Sequence, residues 1–486
     1  MSPANSRKRA APSRRGLTLR KKKRRPSAAA SASCTTTATT ADDSELRPPW
    51  ATLDEDLVRV IAGRVLAGDV TDYLRFRAVC RQWRSSTECP RGRSVVDPRF
   101  HPRHWTMLPE GFNLYPGHTR LRGRVRFLNL RTGALASVHT PLFKNHFAMD
   151  YVDGLLLLHR DHDMAVRLLH PFTGDVVELP SLATLRPQLY ALFAHDPVER
   201  AYTKEIEFLQ FMRKIVAAVS FSPDDGVVTA MLALDTERVR RVAFSTSEDR
   251  KWTLSDWETQ DNRISILPFQ GKLYFLTTRS QIWVVDPPQR AVTGSSSSSS
   301  SLLMPPRMIA AVPMNKLRIP MYMAECDSEI LLVSTTARSR WQVRVHRLAD
   351  LVRGRLIPLR SIGGNSLFVL QRSICVSSEA HPTIAGDSVV ILHPSFKYLG
   401  EYHLRSRTWS QATDGNYLGE EPVPSPYTLV HHIYSCCHRY YWRNVLPRKI
   451  PHVGEEIQMA SRGLKDIGFP LLHPCHFRAE VTAKCH

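Results

Sequence analysis

One pattern recurs along most of this chain: an apolar run, a polar turn, a second apolar run, another turn. It is clearest in DGLLLLHRDHDMAVRLLHPFTGDVVELP (153–180), QGKLYFLTTRSQIWVVDPPQRAV (270–292) and AGDSVVILHPSFKYLGEYHLRSRTW (385–409). DGVVTAMLALDTERVRRVAFSTSEDRKWTL (225–254) and SEILLVSTTARSRWQVRVHRL (328–348) follow it more loosely, and RVRFLNLRTGALASVHTP (124–141) reads as the later half of a unit. Apolar runs of this length bounded by Thr132-Gly133, Thr173-Gly174 and Pro287-Pro288 are strands joined by turns. The tightest repeats lie about 40 residues apart, the size of a four-stranded blade. No long segment of helical period interrupts them, which excludes a doubly wound α/β fold. The expectation is an all-β, β-propeller-like domain of about five or six units, because a closed ring leaves no long sheet edge exposed. An array of β-sandwiches is the alternative. Insertions widen some gaps: the serine tract 295–301 is a loop, and in 181–215 the stretch TKEIEFLQFMRK reads as a short helix.

Around this β region the chain changes character. Residues 1–45 are Ser, Ala, Thr, Arg and Lys with almost no large apolar residue, and a segment of that kind stays disordered. Eleven of the basic residues behind the net charge of +21 fall before residue 27, with no acid among them. The block Arg20, Lys21, Lys22, Lys23, Arg24 and Arg25 reads as a nuclear localisation signal, placing the protein in the nucleus and also the cytoplasm. A nonspecific polybasic arm and an organellar transit peptide are the other readings of the same residues. The hydrophobic fraction of 43% permits a sizeable core, and no apolar run reaches the length of a membrane span. Nine cysteines, odd in number and irregularly spaced, fit a reduced intracellular protein.

Residues 46–90 are compact and helical. Thr52 and Glu55 stand at capping-box spacing, and Leu53, Leu57, Ile61 and Val65 recur every four residues on one face. Gly68-Asp69 breaks the pattern, and Thr71 or Asp72 caps a second helix. Phe76, Val79, Cys80 and Trp83 then make a second stripe at i, i+3, i+4, i+7, with Arg75, Arg77, Arg81 and Arg84 mostly off it. Pro90 and Gly92 end the unit. Two or three short helices make a core too small to stand alone, so a partner or the neighbouring domain completes it.

Residues 50–86, WATLDEDLVRVIAGRVLAGDVTDYLRFRAVCRQWRSS, resemble an F-box, whose shape is Leu-Pro, an apolar helix, then Val-Cys-Arg-x-Trp-Arg. The ending stands as Val79, Cys80, Arg81, Trp83 and Arg84; the opening departs, with Asp54 after Leu53 in place of proline. The stretches LLHPFTGDVVELP, FQGKLYFLTTRSQIWVVD, GDSVVILHPSFKYLGEYHLRSRTW and YTLVHHIYSCCHRYYW resemble the KIB-type β-propeller domain of a large plant F-box family. The resemblance divides the chain into a basic tail (1–45), an F-box (46–90), a propeller domain (100–442) and a C-terminal extension (443–486). It implies the substrate receptor of an SCF-type (Skp–cullin–F-box) ubiquitin ligase. The F-box docks on a Skp-type adaptor and through it a cullin scaffold, while the propeller holds an unidentified protein target. Leu53, Leu57, Ile61, Val65, Phe76, Val79, Cys80 and Trp83 form the adaptor-binding set, and this subunit carries no catalytic residue.

Other chemistry finds little in the sequence. HHIYSCCH (431–438), HPCH (473–476) and Cys485-His486 are rich in metal-ligating types but lack ligand-pair spacing, and adjacent Cys436 and Cys437 project differently along a strand. Neither a metal nor a cofactor is called for. Asp224 and Asp225 before a strand are a turn. Trp252, Trp257, Trp283, Trp341 and Trp409 fall in or near strand patterns and belong to blade cores. Contact with nucleic acid is limited to nonspecific attraction by the tail. A propeller scaffold outside any ligase is the alternative function.

Overall fold

The computed structural model describes residues 50, 53–108, 121–160, 162–192, 215–222, 224–235, 239–259, 263–290, 301–312, 318–336, 342–392, 398–412 and 428–437. The chain separates into two compact units, Met1–Thr52 and Leu53–His486. In the first only Trp50 is described, and it is exposed. The basic block 20–25, the segment 203–214, Trp341 and the extension 443–486 lie outside the described residues.

The second unit begins with three helices, α1 (Glu55–Gly68), α2 (Val70–Arg77) and α3 (Arg81–Ser85). Six sheets come next, and they are the blades of a propeller. Blade 1 holds β1 (Trp105–Met107), β2 (Arg124–Asn129) and β3 (Leu135–His139). Blade 2 is β4 (His146–Val152), β5 (Leu155–Arg160), β6 (Val166–Leu169) and β7 (Val176–Leu179). After α4 (Arg186–Leu192), blade 3 is β8 (Val216–Phe221), β9 (Val228–Asp235), β10 (Arg240–Thr246) and β11 (Thr253–Leu254). Blade 4 is β12 (Arg263–Phe269), β13 (Lys272–Thr277) and β14 (Gln281–Val285). A two-stranded ribbon, β15 (Gln289–Arg290) and β16 (Ser301–Leu302), leads from it to its fourth strand β17 (Arg307–Ala311). Blade 5 holds β18 (Arg318–Cys326), β19 (Glu329–Thr336) and β20 (Gln342–Arg347), with α5 (Leu348–Val352) after it. Blade 6 holds β21 (Asn365–Phe368), β22 (Ile374–Ser377), β23 (Ser388–Leu392), β24 (Leu399–His403) and β25 (Thr408–Gln411), and α6 (Leu429–Cys436) comes last.

The ring follows from the two-residue period of a strand. In β5, Leu155 and Leu157 point into the cluster shared with blade 3, while Leu156 and Leu158 point into the cluster shared with blade 1. In β9, Val228, Ala230 and Leu232 face blade 2, and Met231 and Ala233 face blade 4. A strand buried on both faces reads as an unbroken apolar run, which is why LLLL stands where it does. The same division gives a cluster between blades 4 and 5, one between 5 and 6, and one between 6 and 1. Six sheets joined by six apolar layers form a closed ring, and a sandwich array is thereby excluded. Strands β4, β8, β12, β18 and β22 touch in that order around a central cavity of about 800 Å³, and Trp105 and Thr106 of β1 line it too.

The blades are not uniform. Blade 5 has three strands among the described residues, its outer edge extended where Leu359 N donates to Val345 O at 2.8 Å. Blade 6 has five, because β21 and β23 run parallel and β22 folds back as the innermost strand. Two-residue turns repeat on the cavity side: Asp153-Gly154, Gln270-Gly271 and Asp327-Ser328 all have positive φ at both positions, as tight hairpins require. Gly154 is fixed further by close approach, since a Cβ there would lie 2.1 Å from Pro102 O.

The seam between blades 6 and 1 is filled by α6, where the sequence reads as a strand. Thr428 caps the helix, its Oγ1 accepting from His431 N at 3.3 Å. Val430, Ile433, Tyr434 and Cys437 recur at helical spacing and enter the apolar layer with Leu108 and Leu128 of blade 1 and Phe368 and Val390 of blade 6. Cys436 and Cys437 are thus core residues, and burial pushes the Cys436 thiol pKa up to about 12. Arg372, in the β21–β22 turn, ties this seam to the ring. Its backbone N donates to Cys437 O at 3.1 Å, and its guanidinium lies 2.9 Å from Asp150 Oδ1 and 3.4 Å from the Tyr151 ring centre. Asp150 is 2% exposed and also accepts from Ala217 N at 2.9 Å, so one ion pair joins blades 6, 2 and 3. Removing one member of such a pair leaves a buried charge, at a cost of about 3–5 kcal/mol. Arg372→Met is expected to lower stability by about that much, whereas Arg372→Met with Asp150→Asn loses less than the two single changes summed. Denaturant unfolding of the three variants measures both.

Candidate functional site

The helices at the start of the unit leave large apolar side chains uncovered, Leu57, Val60 and Val79 among them. Asp54 is the N-cap of α1, its Oδ1 accepting from Asp56 N at 2.8 Å, so this residue starts the helix. Val58 and Ala62 turn inward and are fully buried, with Val65 and Leu66 packed beside them. The interior stripe is therefore displaced by one residue from the four-residue repeat read in the sequence. Of that repeat, Leu53 and Ile61 are half-buried, Leu57 is 47% exposed, and Val65 alone packs on the inner cluster. Val60 adds to the outer face at 55% exposure. Helix α1 is thus apolar on two sides, of which the fold covers one.

The second stripe spans two helices rather than one. α2 ends at Arg77, Cys80 is extended (φ −153°), and its Sγ accepts from Trp83 N at 3.4 Å to start α3. The break still brings Phe76 and Trp83 together, their rings stacked 4.3 Å apart. Phe76 packs on the inner cluster, Cys80 and Trp83 are half-buried, and Val79 is 47% exposed. Gln82 Nε2 donates to Leu53 O at 2.8 Å, placing the start of α1 beside α3.

These helices have almost no core of their own. Their cluster is Ala62, Val70 and Tyr73 with Phe100 from the following segment, and Phe172 of blade 2 packs on it. Asp69 makes the joint. Its Oδ1 caps α2 by accepting from Thr71 N at 2.7 Å and Asp72 N at 3.3 Å. Its Oδ2 accepts from Trp105 Nε1 and Asn129 Nδ2 of blade 1, both at 2.7 Å. The connecting segment is pinned to blade 2. Asp175 Oδ2 accepts from Gly92 N and from Ser94 Oγ, each at 2.7 Å, and His170 Nε2 donates to Phe100 O at 2.9 Å. His170 Nδ1 accepts from Thr173 N, which fixes the neutral tautomer, and burial holds the ring pKa down at about 4. Arg77 reaches Thr87 Oγ1 at 2.7 Å and Glu88 O at 2.6 Å, closing the turn after α3. Asp69, Arg77 and Asp175 carry no distinguishing signal in the sequence; Asp69 reads there only as a helix break.

The second candidate is the central cavity, whose mouth adjoins the α1–α2 junction at Gly68 and Asp69. Arg103, Arg131, Asp153, Glu325 and Asp327 bring both signs of charge to its wall. Glu325 lines the cavity with its side chain open to the lumen, and the protein around it raises the carboxyl pKa to about 7, the charge of Asp153 adding and Arg103 opposing. Asp327 Oδ2 accepts from Asn365 Nδ2 at 2.7 Å. No group of three metal-ligating side chains is found among the described residues. Asp225 Oδ1 accepts from Val227 N at 3.1 Å, so the paired acids at 224 and 225 form the expected turn. Trp252 is fully buried, and Trp257, Trp283 and Trp409 pack on blade clusters.

A family model described as KIB1-4 beta-propeller matches residues 127–408. No curated protein matches the chain. Among solved structures, the β-propeller domain of Cps50 (Swd1) from Myceliophteria thermophila is similar at 10% identity, over 59% of this chain and 76% of that one, with a TM-score of 0.24. A nidogen/laminin complex is similar at 11% identity, over 63% of this chain and 91% of that one, with a TM-score of 0.27.

Asp69→Ala removes a cap and leaves the Trp105 and Asn129 donors buried without a partner. The expected loss is about 3–5 kcal/mol, read by denaturant unfolding. For Glu325, the folded carboxyl titrates near 7 and the ordinary value is 4.5. Between those values the folded protein holds a proton that the unfolded chain has released, so stability falls as pH rises through the window. Glu325→Gln is therefore expected to melt above wild type at pH 8 and level with it at pH 4, by thermal unfolding at the two pH values.

Proposed function

The chain belongs to the KIB1-4 β-propeller family, and from that premise we propose that it is the substrate-recognition subunit of an SCF-type ubiquitin ligase. In this reading α1–α3 are the F-box, docking on a Skp-type adaptor and through it on a cullin, and the propeller recruits a protein target. The observation that carries the reading is the double-sided apolar character of α1. Val58 and Ala62 complete the interior, while Leu57 and Val60 remain exposed beside half-buried Leu53 and Ile61, and Val79 adds a third exposed residue. Leu57, Val60 and Ile61 lie at helical spacing on one side of α1, and exposed apolar side chains among exposed charged ones such as Glu55, Asp56 and Arg59 suit a protein partner. An amphipathic helix with a free apolar face is the usual substrate of helix docking.

The adaptor-binding set read in the sequence then divides by role. Leu53, Leu57, Ile61 and Val79 meet the adaptor; Val65 and Phe76 hold the helices together from inside; Cys80 and Trp83 set the angle between α2 and α3. The propeller is typically a non-catalytic interaction scaffold, and here its part is to hold the target at a fixed place relative to the helices. The basic block 20–25 is proposed to direct the chain to the nucleus. Among the described residues no helix is long and apolar enough to cross a membrane.

Co-purification with a Skp-type adaptor tests the proposal. Wild type is expected to be retained, and Leu57→Asp with Val79→Asp to be lost while keeping the wild-type melting temperature, since both positions face solvent. Failure of folded wild-type protein to bind the adaptor contradicts the ligase reading and leaves the helices as a cap on a stand-alone binding module.

A further inference from the structure

The innermost strands of blades 5 and 6 lie side by side, β18 against β22. Each brings a cysteine to that joint. Cys326 ends β18 and is 5% exposed; Cys375 is the second residue of β22 and is half-buried. Both belong to the apolar layer between the two blades, and both line the wall of the central cavity. The two side chains are neighbours in that layer, and both are free thiols.

We propose that Cys326 and Cys375 form a redox-modification site, in which a peroxide entering the cavity converts the two thiols into a disulfide between blades 5 and 6. The other described cysteines lack this combination. Cys436 and Cys437 are buried in the blade 6–1 seam, and Cys80 and Cys89 lie in and just after the helices.

The chemistry balances with one peroxide. The thiolate sulfur of one cysteine attacks a peroxide oxygen, the O–O bond breaks, and the departing hydroxide leaves as water with the thiol proton. The sulfur is now a sulfenic acid. The second sulfur attacks it, the S–O bond breaks, and a second water leaves with the second thiol proton. Two thiols and one peroxide give one disulfide and two waters. The neighbouring Cys326, burial, and the charges of Asp327 and Glu325 hold the Cys375 thiol protonated, so the reaction is slow at neutral pH.

The test exposes the full chain to hydrogen peroxide, blocks remaining thiols with iodoacetamide and digests without reduction for mass spectrometry. The expected result is a joined pair of peptides carrying Cys326 and Cys375, separated by dithiothreitol. With it comes a melting temperature several degrees above that of the reduced protein, a gain that Cys375→Ala lacks. Recovery of Cys326 and Cys375 as separately blocked thiols, under exposure that oxidises the exposed Cys89, overturns the proposal. So does either one found joined to a different cysteine.

Discussion

The Asp69 carboxylate divides its two oxygens between two parts of the molecule. Oδ1 satisfies the free N–H groups at the start of α2, and Oδ2 receives an indole and an amide from adjacent strands of blade 1. A carboxylate accepting this many donors is well satisfied, and the Trp105 and Asn129 donors are buried and need it. The helices contribute three fully buried apolar residues to their own cluster, too few to hold three helices together. Their packing is completed by Phe100, on the linker that Asp175 and His170 clamp to blade 2, and by Phe172 of that blade. Helices and propeller are one folding unit for this reason. That unity gives the outer face of α1 a constant direction relative to the cavity mouth, which the proposed receptor role would require.

The propeller imposes a constraint of its own: a ring has to close. Five of its apolar layers arise between blades that follow each other in the chain, and the sixth has to join the first blade to the last. The described residues solve this with a helix. α6 enters the seam with its apolar stripe, and Arg372 carries the closure past blade 1 to Asp150 and Tyr151 of blade 2. Burying an ion pair is a weak source of net stability compared with packed apolar side chains, but it is intolerant of partial disruption. Here it ties blades 2, 3 and 6 to one another.

The strands were readable because burial on both faces writes itself as continuous apolar runs, and because turns such as Thr132-Gly133 and Thr173-Gly174 need a glycine at positive φ. Six inter-blade layers account for the five or six units expected. The helices were harder to read. α1 is apolar on two sides, so Leu53, Leu57, Ile61 and Val65 looked like an interior stripe, although Val58 and Ala62 fill the interior. Phe76 to Trp83 kept helical spacing across a break because the two rings stack over it. The start of α1 read as a capping box of Thr52 and Glu55, whereas Asp54 is the cap. The joint made by Asp69 was not legible, since a cap and a tertiary acceptor look alike in a sequence. The Asp150–Arg372 pair joins residues more than two hundred positions apart and has no local signature at all. α6 read as a strand because Val430, Ile433, Tyr434 and Cys437 occur in a short apolar stretch, where the two periods are hard to tell apart.

The measurement that bears most directly on the unity of helices and propeller is native-state hydrogen exchange of the full chain. It compares amides of α2 with those of β5 and β9 under increasing denaturant. If the helices are held by Asp69, Phe100 and Phe172 as described, α2 amides exchange only through the opening that exposes the central strands, with the same free energy and the same denaturant dependence. An α2 that opens at lower free energy while β5 and β9 stay protected contradicts the account. It would show a helical unit attached to the propeller rather than built into it.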